Sequence, residues 1–407
     1  MEYRIYELEN GLRVVHRPAE GAVAYVGYRI GVGSGHEAAD EEGLAHLCEH
    51  LAFKGTERRR AWQIMSTLER VGGDLNAFTT KEDTTFHAAV LRQDVPLAVD
   101  LLTDIAFHST CPERELEKER EVVCEEIESY NDTPSELIYD DFENLLFPDH
   151  PLGHNILGRA EQVRQYTAED VRRFTQRHYR PDNAVLFLYG GELPDLEAIA
   201  KMLPCRKASS CGVTGRPLPE GTAPEGQTIV RPMGTHQAHV MMGCRAYPMG
   251  HPLRMSLYLL NNLLGGPGMN ARLNMLLRER HGLVYTVESS LTSYQQAGLW
   301  TTYFGCDADH VDRCRRLVEK ELERIIAQPL TERQLQAAKR QLKGQLGVAC
   351  DNREAFALNF SKSFLHNGEP RDLMALLPEI DALTPDMLRH AARETWQEGR
   401  LTTLVYQ

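Results

Sequence analysis

The chain has 407 residues, of which 42% are hydrophobic and 25% charged. This is the balance of a soluble globular protein too long for one ordinary core, so two domains are expected. A formal net charge of −13, with no strong basic run to offset it, argues against a nucleic-acid partner. No apolar run reaches the roughly 18 residues of a membrane span.

The first elements alternate. Tyr3 and Ile5, then Leu12 and Val14, flank Asn10-Gly11, which predicts a hairpin. The opening Met1-Glu-Tyr-Arg-Ile-Tyr lacks the basic and apolar regions of a secretory signal. Residues 22–32 read as a nearly continuous apolar strand, 43–53 and 62–71 as helices, and Thr84–Leu91 as an alternating strand. Val95–Phe107 reads as an apolar helix, and Pro112 opens a long charged one. The stretch 204–226, rich in Pro, Gly, Ser and Thr, reads as a linker. Beyond it, 237–244 alternates as a strand and 253–264 reads as an apolar helix.

The two halves share short texts. Leu51-Ala-Phe-Lys-Gly55 matches Asn262-Leu-Leu-Gly-Gly266 at an offset of 211 residues. Tyr166-Thr-Ala-Glu-Asp-Val171 matches Leu383-Thr-Pro-Asp-Met-Leu388 at an offset of 217. In the second pair a Thr stands where a helix N-cap belongs, and a strand follows. The expected organisation is therefore a duplicated domain, residues 1–203 and 229–407, joined by a linker over 204–228. Under the first offset His46, Glu49 and His50 correspond to Leu257, Leu260 and Asn261, so only the first copy carries metal-binding side chains.

Those side chains form His46-Leu-Cys-Glu-His50, an H-x-x-E-H pattern inside a helical stretch. Residues four apart share a helix face, so both imidazoles can reach one ion. Glu49 flanks that face and is placed to hold a water rather than to ligate. A catalytic zinc needs a third protein ligand and an open position. The long charged helix offers Glu119 and Glu126, seven apart on one face, while Glu125 points about 100° away. Cys48 faces away from the histidines and reads as a packed thiol. His16, His36, His87, His108, His150 and His154 have no spacing that calls for metal. The nine cysteines, odd in number and without a Cys-x-x-Cys pair, suggest a reducing compartment, and a cytoplasmic location is expected. Cys205 and Cys211 are not expected to pair.

Gly43-Leu-Ala-His-Leu-Cys-Glu-His-Leu-Ala-Phe-Lys-Gly-Thr56 and Glu125-Glu-Ile-Glu-Ser-Tyr-Asn-Asp-Thr-Pro134 resemble the pitrilysin/insulinase family of zinc peptidases, and the likeness covers nearly the whole chain. It is to the shorter two-domain kind, similar to bacterial peptidases like the mitochondrial processing peptidase. In that family a glutamate ligand follows the second histidine by 76 positions, which implies Glu126, and a second glutamate seven residues earlier, here Glu119, supports the site. Gly72-Gly-Asp-Leu-Asn76-Ala77-Phe-Thr-Thr resembles the family's substrate strand, which implies that Asn76 and Ala77 bind a peptide added as an extra strand. Gly265-Gly-Pro-Gly-Met-Asn-Ala-Arg-Leu matches no phosphate-loop pattern; with Arg278 and Tyr285 it resembles the family's flexible loop and Arg/Tyr pair, which implies stabilisation of a developing oxyanion. The fold implied is α+β: two homologous domains, each a mainly antiparallel sheet with helices on one face, forming half of a clamshell. The activity implied is zinc-dependent hydrolysis of short unstructured peptides in a closed chamber, with Glu49 as general base. A homodimer is expected, with a related chain as the alternative partner; a peptide-binding subunit without activity is the competing function.

Overall fold

The computed structural model describes residues 2–204, 218, 225–397 and 399–407. Most of the expected linker, with Cys205 and Cys211, lies outside the described residues. Among the described residues eleven strands run in chain order: β1 (Arg4–Glu7), β2 (Arg13–Arg17), β3 (Val23–Ile30), β4 (Asp74–Thr79), β5 (Thr84–Leu91), β6 (Ala184–Tyr189), β7 (Thr228–Arg231), β8 (Ala238–Ala246), β9 (Val284–Ser293), β10 (Gly298–Cys306) and β11 (Thr402–Tyr406).

They form two sheets, ordered β1-β2-β6-β3-β5-β4 and β7-β11-β8-β10-β9. With β1 set aside, the two orders match strand for strand. The pairing senses match as well: β2–β6 and β7–β11 are parallel, and every other neighbouring pair is antiparallel. The N-caps match too, since Thr167 accepts the N–H of Asp170 and Thr384 that of Met387. Two mainly antiparallel sheets with helices make an α+β fold of two like domains.

The chain divides into two compact units. Unit 1 holds residues 1–129, 154–216 and 349–373; unit 2 holds 130–153, 217–348 and 374–407. This departs from a linear split at 203 and 229, because each unit takes one helical segment from the other half of the chain. The exchanged helices occupy the same place in the two repeats: Pro134–Leu146 belongs to unit 2 and Arg353–Asn367 to unit 1.

In unit 1, one sheet face buries Val14, Val26, Tyr28, Phe86 and Leu186 beneath helices that include Leu44–Ala52 and Val95–Phe107. The other face buries Val15, Val185 and Phe187 against Phe356, Phe360 and Phe364 of the exchanged helix, whose four-residue spacing makes one apolar stripe. Arg29 fastens the same helix: its guanidinium donates to Ser361 Oγ (3.2 Å) and Leu358 O (3.1 Å) and pairs with the buried Asp83. Asp83 also meets His366 Nε2 at 3.3 Å. In unit 2, Ile138, Phe142 and Leu146 of the other exchanged helix pack on Met241, Leu299, Leu404 and Tyr406. Among the described residues no helix is long and apolar enough to cross a membrane.

Candidate metal centre

The helix Leu44–Ala52 buries Leu44, Leu47, Cys48 and Leu51 in the core of unit 1, which turns His46, Glu49 and His50 toward the long helix Glu113–Asn131. The two rings lie 4.6 Å apart, centroid to centroid. Glu126 Oε2 stands 3.6 Å from His50 Nε2 and 4.0 Å from His46 Nε2. One donor atom from each of these three side chains lies within 4.8 Å of the others, the only such trio among the described residues. Tetrahedral bonds of about 2.0–2.1 Å place ligand atoms roughly 3.4 Å apart. The two distances to Glu126, 3.6 and 4.0 Å, lie near that spacing.

The surroundings fit a divalent cation. His50 Nδ1 lies 3.2 Å from Glu119 Oε2, which holds the ring with Nε2 on the side of Glu126. Lys54 Nζ meets the other Glu119 oxygen at 2.8 Å. Glu49, Glu119 and Glu126 thus gather round two imidazoles with one lysine among them, an excess of negative charge that zinc would offset. Burial, with the nearby His50, pushes His46 down to about 3, so its imidazole is neutral and able to ligate.

Glu49 is buried beside the trio, and Thr79 Oγ1 of β4 donates to its Oε2 at 2.5 Å. Burial raises the Glu49 pKa; the Thr79 hydrogen bond works against that rise. Thr79 and Lys54 were not singled out from sequence, although both lie inside quoted motifs. A hydroxyl or an ammonium announces nothing until its partner is in place. Cys48 is buried, and burial holds its thiol well above the ordinary range, as suits a packed rather than ligating side chain.

Asn76 and Ala77 lie on β4, the outer strand of its sheet. Asn76 is exposed, and its Oδ1 accepts the Ala77 N–H at 2.9 Å. Arg278 and Tyr285 belong to unit 2, so no single unit brings them together with the metal residues. Arg278 is exposed in a π-helical turn, Asn274–Arg280, and borders a cavity of about 420 Å³ with Asn261, Gly266, Met269 and Ser289. Tyr285 is exposed at a β-bulge between β9 and β10, and its hydroxyl donates to Asp307 Oδ1 at 3.1 Å. Asn261, at the position matching His50, is held by Trp300 Nε1 (3.0 Å) and itself donates to Ser289 O (3.2 Å). A hydrogen-bonded amide thus stands where the first repeat has an imidazole. His87 meets Glu354 at 3.3 Å, away from the trio.

The chain belongs to the insulinase family, peptidase family M16: residues 13–160 match the family described as insulinase (peptidase family M16), and residues 165–342 match the peptidase M16 inactive domain. It is 32% identical to the uncharacterized zinc protease YmxG of Bacillus subtilis over 98% of this chain and 97% of that one. It is 30% identical to the mitochondrial-processing peptidase subunit beta of Bos taurus over 95% of this chain and 81% of that one. The crystal structure of a protease from Helicobacter pylori superposes with a TM-score of 0.89 at 22% identity, covering 100% and 99% of the two chains, a likeness of fold.

Proposed function

We propose that this chain is a zinc-dependent endopeptidase that hydrolyses short unstructured peptides. The observation that carries the reading is the convergence of His46, His50 and Glu126 beside the buried Glu49. His46, His50 and Glu126 would hold a zinc ion, which would supply Lewis acidity for a carbonyl and for a water. Glu49 accepts the proton of the attacking water on its carboxylate and returns it to the leaving amine. Thr79 fixes the rotamer of that carboxylate, and Glu119 fixes His50. The outer edge of β4 receives the peptide as an added strand, with Asn76 and Ala77 binding its backbone, so selection rests little on side-chain identity. Arg278 and Tyr285 donate hydrogen bonds to the carbonyl oxygen as it gains charge. The protein acts in the cytoplasm as a homodimer in which that pair serves the metal residues of the other copy.

The second reading is a subunit that needs a different partner chain; the relative named as a subunit of the mitochondrial-processing peptidase favours it. One experiment separates the two. A pool of unstructured peptides is incubated with purified protein, with chelator-treated protein and with Glu49→Gln, and products are read by mass spectrometry. Cleavage lost in both controls and restored by zinc to the chelated sample is the expected result. Zinc bound without cleavage would sink the autonomous peptidase and leave the partner-dependent subunit.

A further inference from the structure

The first ligand, His46, is the third residue of its helix, inside the turn whose N–H groups have no partner within the helix. The residue before the helix, Gly43, has no side chain to cap them. The cap comes instead from Glu37. Its carboxylate is fully screened from solvent and accepts the N–H of Ala45 on Oε1 at 2.7 Å and that of Gly43 on Oε2 at 3.0 Å. Oε2 also accepts from His154 Nε2 at 2.8 Å. Lys81 Nζ in turn donates to the His154 carbonyl.

The loop that brings His154 is pressed against the helix start. Gly43, at φ +85°, and Gly158, at φ +75°, face each other so closely that a Cβ on Gly43 would lie 2.5 Å from Leu157 O, and one on Gly158 2.6 Å from Gly43 Cα. Two glycines are therefore needed to seat the loop.

We propose that Glu37 and His154 are positioning residues for zinc: a buried carboxylate, locked by an imidazole, holds the first turn of the ligand helix so that His46 Nε2 meets the ion. The inference rests on the peptidase reading for its metal. A buried anion at a helix N-terminus suits both the free N–H groups and the helix dipole. Its distinctive feature is the target. Fraying of one turn would displace His46 and leave His50, a full turn further on, in place.

The test uses the full-length protein, wild type and Glu37→Gln, with His154→Ala as a second variant in case the first fails to fold. A glutamine presents one oxygen and one NH2, so in the present geometry one of the Gly43 and Ala45 N–H groups would face a donor instead of an acceptor. Two quantities are read: amide hydrogen exchange over residues 43–53 in the zinc-free protein, and zinc affinity by competition with a chromophoric chelator. Expected for Glu37→Gln are faster exchange confined to the first turn and zinc affinity weaker by about tenfold, the low end for losing support behind a ligand. His154→Ala should show the same pattern, smaller. Unchanged exchange and affinity would overturn the proposal. So would faster exchange with unchanged affinity, which would make the pair a cap and nothing more. Wild type that binds no zinc would sink the peptidase reading and this inference with it, a result visible before any variant is compared.

Discussion

Glu119 Oε2 lies 3.2 Å from His50 Nδ1 while its other oxygen holds Lys54 Nζ at 2.8 Å. One buried carboxylate thus meets both the His50 ring and the Lys54 ammonium. Glu119→Gln removes the charge, weakens the hold on the ring and strands Lys54. Zinc affinity should fall roughly 10- to 100-fold, read by chelator competition. A fall of less than twofold would show that His50 keeps its orientation without Glu119.

Thr79 makes the one hydrogen bond described for the Glu49 carboxylate. Thr79→Val keeps the shape and removes the donor. The expected outcome is a kcat lower by at least about tenfold, part of the 10²–10⁴ that a positioned general base supplies, with one zinc per chain retained. Thr79→Ser should recover most of the loss. Equal kcat values for Val and wild type would remove Thr79 from the machinery.

Asp83 sits on the far side of the unit 1 sheet core, fully buried with Arg29. Burial alone would push its carboxyl up, but the Arg29 guanidinium and His366 override that and hold it well below the usual carboxylate range. A depressed folded-state value means stability fully present above the unfolded value of about 3.9 and lost as pH falls below it. Asp83→Asn leaves Arg29 buried without its counter-charge and should cost about 3–5 kcal/mol at pH 7. The gap between variant and wild type should narrow toward pH 3. Urea midpoints at the two pH values check this; a constant gap would contradict it.

The exchanged helices bear on folding. A fragment of residues 1–203 lacks Arg353–Asn367 and so exposes the apolar face of Val15, Val185 and Phe187. It should aggregate alone and regain solubility when co-expressed with residues 204–407. In the intact chain, Phe360→Ala should cost about 3–5 kcal/mol, measured by denaturant unfolding. A soluble, cooperatively folded 1–203 fragment would contradict the assignment of that helix to unit 1.

The proposed homodimer predicts complementation. Glu49→Gln and Arg278→Ala, each impaired alone, should recover activity when mixed under conditions of subunit exchange, up to about a quarter of wild type if chains pair at random and one intact centre suffices. No recovery despite exchange proven by mass spectrometry would place Arg278 in cis or outside catalysis.

Much of this was legible along the chain. Helix Val95–Phe107 and strand Thr84–Leu91 run between the residues that apolar periodicity marks, and Thr167 and Thr384 cap as their type suggests. The i, i+4 histidines needed only helical geometry to be seen as a pair. Glu126 was less legible. From the residues, Glu119 and Glu126 share a face, and only the family spacing separates them; in the structure Glu126 meets both Nε2 atoms and Glu119 takes Nδ1. Glu37 was illegible. It reaches Gly43 and Ala45 across six and eight residues, with no capping-box spacing to announce it.

By itself, then, the sequence determined the periodic elements, the motif helix with its two imidazoles and the repeat that lost them. These are local matters, set by side-chain spacing against backbone periods of 3.6 and 2.0 residues. Tertiary structure alone decided that Pro134–Leu146 and Arg353–Asn367 change units, that Thr79 and Lys54 serve Glu49 and Glu119, and that His154 closes on Glu37. Each of these joins residues far apart in the chain. Such a choice is made by which apolar faces and buried charges can be satisfied together once the core closes, and no local pattern records it.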